Sequence, residues 1–309
     1  MTESATERWG RARTFHHSRY PPARIAVERT ETVAVCLPAR ECAATIAPIV
    51  LALGALREQG VIDEVVVVDA ASRDGTGAVA LQAGASVLQE DELLPEVGPV
   101  RGKGDAMWRA LASLRSEVIC FLDADLDDFP AHYVSGVIGP IVCEPRVSFS
   151  KAFYRRPFTY DGVSVPDGGG RVNHLMARPA LALFFPELAG VRQPLAGEVA
   201  GRRELLERIP FTTGYGVEIA MLIDVCEAVG IDGIAQVDLE VHHNAHQSLA
   251  ALSSMSYSVI EVIARRLERA GRLLDLQPSP LLGADGPQSV EILERPPLAG
   301  LRGAVRDPR

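Results

Sequence analysis

Three short apolar runs, each closing on a proline or an aspartate, constrain this chain more than any other feature. They are VAVCL at 33–37, VVVVD at 65–69 and EVICFL at 117–122. Between them apolar residues return at helical spacing. Ile46, Val50, Leu53 and Leu56 mark one helix, and residues 75–83 and 103–115 read as two more. SVL at 86–88 reads as a further strand and AQVDLEV at 235–241 as a later one. This order predicts an α/β fold, a Rossmann-like and mostly parallel sheet flanked by helices. Ligands on such sheets bind beyond the carboxyl ends of the strands. The polar residues just past each run are therefore the candidates for chemistry.

The third run leads into FLDADLDD, which separates Asp123 from Asp125 by one residue. Two carboxylates at a strand end can face one Mg²⁺ or Mn²⁺, which favours oxygen ligands and takes the rest from substrate phosphates and water. An EF-hand is excluded, because Asp128 stands where its glycine belongs and Val134 where its glutamate does. After the first run comes PARE (38–41), where backbone around Pro38 and Ala39 can line a base. Glu41 or Asp69 can bond its ribose or the base itself. Lys103 lies between two glycines at a helix start in VRGKGDAMW, a setting that favours an anion. No Walker A spacing surrounds it. GGGRVN offers Gly169, Gly170, Arg171 and Asn173 to an anionic acceptor. HHNAH (242–246) supplies imidazoles as a third protein ligand to a carboxylate-bound ion, and a zincin is excluded because His243 replaces the general-base glutamate.

The 309 residues carry a net charge of −9, which argues against a nucleic-acid surface. No apolar stretch approaches the ~18 residues of a membrane span, and the polar start has no signal-peptide core. Five cysteines without a CxxC pair point to a reducing cytoplasm. The expected organisation is an arm over 1–30, a nucleotide-sugar half over 31–150, an acceptor half over 151–275 and a tail over 276–309. Leu252, Met255, Val259, Ile263 and Leu267 mark one face of a long helix, suited to the core or to a homodimer.

LPARE, VVDAASRDGT, LPEVGPVRGKGDAMWRAL, FLDADL, KAFYRRPF, GGGRVN, QPLAGE, FTTGYGVEIAMLID and QVDLEVHHNAHQ follow one another between residues 33 and 260. Together they resemble the glucosyl-3-phosphoglycerate synthases and mannosyl-3-phosphoglycerate synthases, retaining glycosyltransferases of the GT-A fold. The resemblance implies transfer of glucose or mannose from UDP-glucose, GDP-glucose or GDP-mannose to 3-phosphoglycerate, with Mg²⁺ or Mn²⁺. It implies that Pro38, Ala39, Glu41 and Asp69 bind the nucleoside and that Lys103 meets the diphosphate. Asp123 and Ala124 would border the donor, and Asp125 would hold the metal. Leu195 and Gly197 would lie by the reacting sugar, with Tyr215 and Glu218 on its hydroxyls. Asp123, Glu218 and Leu195 would make up the catalytic core. Gly170, Arg171 and Asn173 would bind the acceptor.

Three places depart from the family pattern. Arg40, Glu41 and Cys42 replace Asn-Glu-Glu, Ala124 replaces a serine, and Asn244 falls on the metal histidine, so His243 or His246 takes that role. Two other readings fit the same segments: an inactive nucleotide-sugar-binding regulator, and a GT-A transferase with another acceptor such as a polyprenyl phosphate.

Overall fold

In the computed structural model, residues 4–126, 129–160, 163–165, 168–242, 247–273, 281–283, 286–288 and 292–305 are described. The β-branched runs form the strands expected of them. The first six strands are Thr14–His16 (β1), Val33–Ala39 (β2), Glu64–Asp69 (β3), Ser86–Gln89 (β4), Val118–Phe121 (β5) and Phe149–Arg155 (β6). A hairpin, Phe158–Tyr160 (β7) with Val163–Val165 (β8), stands apart. Val199–Arg202 (β9), the short Phe211–Thr212 (β10) and Ile234–Val241 (β11) follow.

One eight-stranded sheet has the order β1-β11-β6-β9-β5-β2-β3-β4. It draws strands from both sides of residue 150. All neighbours are parallel except β9, which runs antiparallel to both β5 and β6.

Strand alternation divides the core between the two faces of the sheet. Ala34, Cys36, Val66, Val68, Ile119 and Phe121 join one apolar cluster, with Trp108 and Leu111 of helix Lys103–Ser113. Val33, Val35, Leu37, Val65, Val67 and Cys120 join the other, with Leu53 of helix Ile46–Glu58 and Val137 of helix His132–Cys143. Strands covered on both faces read as continuous apolar runs, as VVVVD does.

The amino-terminal segment differs from the arm expected over 1–30. Residues 5–28 form helix Ala5–Arg13, edge strand β1 and helix Pro22–Glu28. Trp9, Tyr20 and Ile25 are buried, and Trp9 Nε1 donates to Ile234 O at 3.1 Å. The segment's polarity is that of a sheet edge: Trp9, Tyr20 and Ile25 turn inward, while Val27 and arginines such as Arg8, Arg11 and Arg19 are exposed. The carboxyl-terminal stretch also differs from a tail. Arg295 pairs with the buried Asp105 at 2.7 Å, Trp108 Nε1 donates to Pro296 O at 2.9 Å, and Ile292 and Leu298 are buried.

The long helix spans Leu249–Arg269, and its Val259, Ile263 and Leu267 pack into this chain's own core. Among the described residues no helix is long and apolar enough to cross a membrane.

Candidate active site

Lys103 begins helix Lys103–Ser113, and the glycine after it explains how that helix reaches the site. A Cβ on Gly104 would lie 1.9 Å from Thr212 O, so only glycine lets the helix start press against β10. That contact brings Lys103 beside the helix Val217–Val229, whose first turn carries Glu218. Two buried groups on the same helix, Asp105 and Arg109, hold it from behind. Asp105 pairs with Arg295, and Arg109 donates to the carbonyls of Leu93, Leu94 and Gly98.

Lys103 Nζ donates to Asp123 Oδ1 at 2.5 Å and to Glu218 Oε1 at 2.9 Å. Burial disfavours its charge, but the two carboxylates outweigh burial and push the Lys103 pKa up, so the amine stays protonated. Burial acts on Asp123 in the opposite sense to the lysine, and the net effect holds its carboxyl below the usual value. Asp123 is also boxed sterically. A Cβ on Gly197 would lie 2.4 Å from Asp123 Oδ2, so the glycine allows the 195–197 turn to lie directly against the carboxylate.

That turn is strapped on both sides. Leu195 N donates to Asn173 Oδ1 at 3.0 Å, and the buried Lys151 Nζ donates to Ala196 O at 2.6 Å. Burial lowers the Lys151 pKa to about 8 against the pull of Glu218 and Glu198. Behind the turn Glu198 is fully buried. Burial and then the Asp123 charge push its pKa up to about 7. Tyr154 Oη donates to Glu198 Oε2 at 3.0 Å, and His242 Nδ1 lies 4.0 Å from Oε1, its ring stacked on Tyr154 at 4.2 Å. Lys151 and Glu198 are not singled out by the sequence, and His242 enters there only within the HHNAH segment. The signal available was a lysine within the otherwise apolar β6 and a glutamate closing QPLAGE.

The nucleoside candidates cluster at the ends of β2 and β3. Asp69 Oδ1 accepts from Ser72 N at 3.1 Å, and Glu41 Oε1 accepts from Arg73 N at 2.9 Å. Ala70 N donates to Ala39 O at 3.0 Å, one residue past the half-buried Pro38. Glu41 adopts φ +54°, a left-handed conformation that a turn imposes on few non-glycine residues. Ala124 O accepts from Thr45 Oγ1 at 2.7 Å, fastening β5's end to the helix after β2. Asp125, next along, is exposed.

A cleft on the other side of the Leu195 turn brings Gly169, Gly170, Arg171, Asn173, Leu195 and His242 together. Arg171 Nη2 donates to Gln247 O at 2.9 Å, and its guanidinium lies over the Phe158 ring at 5.0 Å. Tyr215 is 68% exposed on the turn preceding Glu218. His243 and His246 lie outside the described residues.

An oxygen-rich site suits Mg²⁺ or Mn²⁺. Here Lys103 engages Asp123, and Asp125, two residues on, is an exposed strand-end carboxylate. The donor set therefore fits such an ion.

A parallel sheet interrupted by one antiparallel strand, with a lysine-bridged acidic pair beyond its strand ends, defines a glycosyltransferase of the GT-A type. The family model of Glycosyl transferase family 2 matches residues 34–157. The glucosyl-3-phosphoglycerate synthase of Mycolicibacterium smegmatis is 41% identical over 90% of this chain and 92% of its own length. The crystal structure of mannosyl-3-phosphoglycerate synthase from Rubrobacter xylanophilus is 42% identical, with a TM-score of 0.89 over 97% of this chain and 99% of that one. Glucosyl-3-phosphoglycerate synthase from Mycobacterium tuberculosis, crystallised with Mn²⁺, UDP-glucose and phosphoglyceric acid, is 36% identical with a TM-score of 0.82 over 94% of this chain and 99% of that one. The chain belongs to the glucosyl- and mannosyl-3-phosphoglycerate synthase family.

Proposed function

We propose that this chain transfers a hexose, glucose or mannose, from a nucleotide-sugar to 3-phosphoglycerate with retention at the anomeric carbon. The observation that carries the reading is Lys103 held between Asp123 and Glu218, directly beside the Leu195 turn that separates donor side from acceptor cleft. Pro38, Ala39, Glu41 and Asp69 border the nucleoside, and Lys103 meets the diphosphate. Asp123 and Glu218 then orient both that lysine and the sugar, with Ala124, Gly197 and Tyr215 around it. Leu195, fixed through its N–H by Asn173, presents its backbone to the reacting carbon. Gly169, Gly170, Arg171 and Asn173 take the acid and phosphate of the acceptor.

Asp125 would hold the divalent ion, with His243 or His246 as a further ligand. Such an ion offsets the charge developing on the departing nucleoside diphosphate. Five unpaired cysteines, four of them buried, suit a reducing cytoplasm. A homodimer remains part of this proposal, formed through a face other than the Val259–Ile263–Leu267 stripe.

Release of nucleoside diphosphate tests the reading, measured from UDP-glucose, GDP-glucose and GDP-mannose with and without 3-phosphoglycerate and Mg²⁺. Release with one donor that needs both additions is expected. No acceptor-dependent release from any of the three would favour the regulator. Release with a polyprenyl phosphate alone would move the acceptor assignment.

A further inference from the structure

At the sheet edge away from β4, His16 ends β1 and His17 follows it, and Glu240 lies near the end of β11. The ligand atoms of these three side chains all lie within 4.8 Å of one another, the one such group of three among the described residues. Glu240 Oε1 lies 3.5 Å from His16 Nε2 and 3.2 Å from His17 Nε2. A tetrahedral ion with Zn–N and Zn–O bonds of about 2.0–2.2 Å sets its ligands about 3.3–3.6 Å apart. The two separations, 3.5 and 3.2 Å, lie close to the edges of a zinc tetrahedron.

Other features of the place agree. His17 Nε2 is buried 3.2 Å from Glu240 Oε1, close enough to hydrogen-bond it when no ion lies between them. The His17 ring stacks on His132 at 3.9 Å and lies tilted against His16 at 4.4 Å. His16 Nδ1 lies 2.8 Å from Ser18 Oγ, which can take an Nδ1 proton and leave Nε2 its lone pair. Ser18 N donates to that same Nδ1 at 3.3 Å, a bond that uses its lone pair and must yield to Nδ1–H···Oγ for Nε2 to ligate.

Glu240 arrives by a departure from regular strand. The β11–β6 register shifts between Asp238 and Val241. Glu240 has φ +70° and its N–H is caught by Asp238 Oδ1 at 2.9 Å. Bulges of this kind re-aim a side chain, and a left-handed glutamate is strained backbone kept in place by its surroundings.

We propose that His16, His17 and Glu240 form a divalent transition-metal site, Zn²⁺ by preference, with water as the fourth ligand. Two imidazoles and one carboxylate favour Zn²⁺ over Mg²⁺, which avoids nitrogen donors. The ion ties edge strand β1 to the end of β11, close in sequence to His242, which lines the acceptor cleft. It is a clamp, separate from the Asp125 ion, and does not depend on the transfer reaction.

The test dialyses the full chain against Zn²⁺ in excess Mg²⁺ and titrates retained zinc with a chromophoric chelator. Wild type and Asp125→Ala should each hold one equivalent. His16→Ala and Glu240→Gln, both at exposed side chains, should bind it at least about tenfold more weakly. Both should keep wild-type Mg²⁺-dependent transfer. Saturating Zn²⁺ should raise the Tm of wild type by about 3–6 °C and that of His16→Ala by none. A zinc-edge anomalous peak about 2.0–2.2 Å from the three ligand atoms would place the ion directly. No retained equivalent in wild type, one lost with Asp125→Ala, or one kept by both edge variants overturns the site.

Discussion

Replacing Lys103 by methionine tests the centre of the proposed site, because the change keeps the length of the side chain and removes only its charge. The lysine makes two charge-assisted hydrogen bonds, to Asp123 at 2.5 Å and to Glu218 at 2.9 Å, and its side chain is 30% exposed. Each such bond is worth about 1.5–3 kcal/mol. If two such contacts are realised in the transition state, the loss is about 3–6 kcal/mol, or on the order of 10²–10⁴-fold in kcat/KM. The loss should fall on the donor side: UDP or GDP affinity weakens, and the KM for 3-phosphoglycerate changes little. The assay is steady-state nucleoside diphosphate release in saturating Mg²⁺, with nucleotide binding measured by calorimetry. Circular dichroism and Tm confirm that the variant is folded. A Lys103→Met enzyme within about fivefold of wild type, with unchanged nucleotide affinity, would refute the reasoning and remove the lysine from the diphosphate.

The other predictions concern the surrounding groups. Asp125→Ala should abolish Mg²⁺-dependent transfer while leaving Tm within about 1–2 °C, since the side chain is exposed; near-normal turnover in Mg²⁺ would move the metal elsewhere. Arg171→Ala should raise the KM for 3-phosphoglycerate about tenfold or more, from one lost charge-assisted contact, and equal effects on donor and acceptor would take Arg171 out of the acceptor cleft. Glu198→Gln bears on pH. Burial raises the Glu198 pKa to about 7, above its unfolded value, so its favourable contribution is complete at pH below the unfolded pKa and is lost as pH rises through about 7. Wild-type stability from this group should therefore fall between about pH 4.5 and 7, and the glutamine variant should show a flatter profile in denaturant titrations across that range; identical slopes would mean that the carboxyl is not held neutral.

How far the sequence carried these readings depended on whether burial was local or distant in origin. VVVVD announces a strand covered on both faces, because every residue from Val65 to Val68 is apolar. Lys103, Asp123 and Glu218 were each legible from the motif around them. That they meet was not, since the meeting depends on Gly104 pressing against Thr212. Residues 5–28 were misjudged because Trp9, Tyr20 and Ile25 are too sparse to give a period, and their burial comes from partners such as Ile234. Asp105 and Arg295 look like surface charges in sequence, and the half-buried Arg295 meets the buried Asp105 only across 190 residues. Glu198 was missed for the same reason: a carboxylate inside a core is tolerable only once Tyr154 and its neighbours surround it.

The pairing of β1 with β11 has a kinetic side. Thr14 sits opposite Gln236, so the outermost strand of the sheet has no partner until most of the chain exists. Asp105 has the local partners Arg101 N and Arg109, but its pairing with Arg295 likewise waits for the end of the chain. Closing such long loops is slow relative to forming local contacts. On a ribosome the β2–β5 region can form while the first strand idles, its row of amide and carbonyl groups open to any passing edge. Completion is then a late annealing event, in which a segment made among the first is seated among the last. Mutations that weaken β1 should consequently show their cost in refolding yield at high protein concentration, before they show it in the activity of molecules already folded.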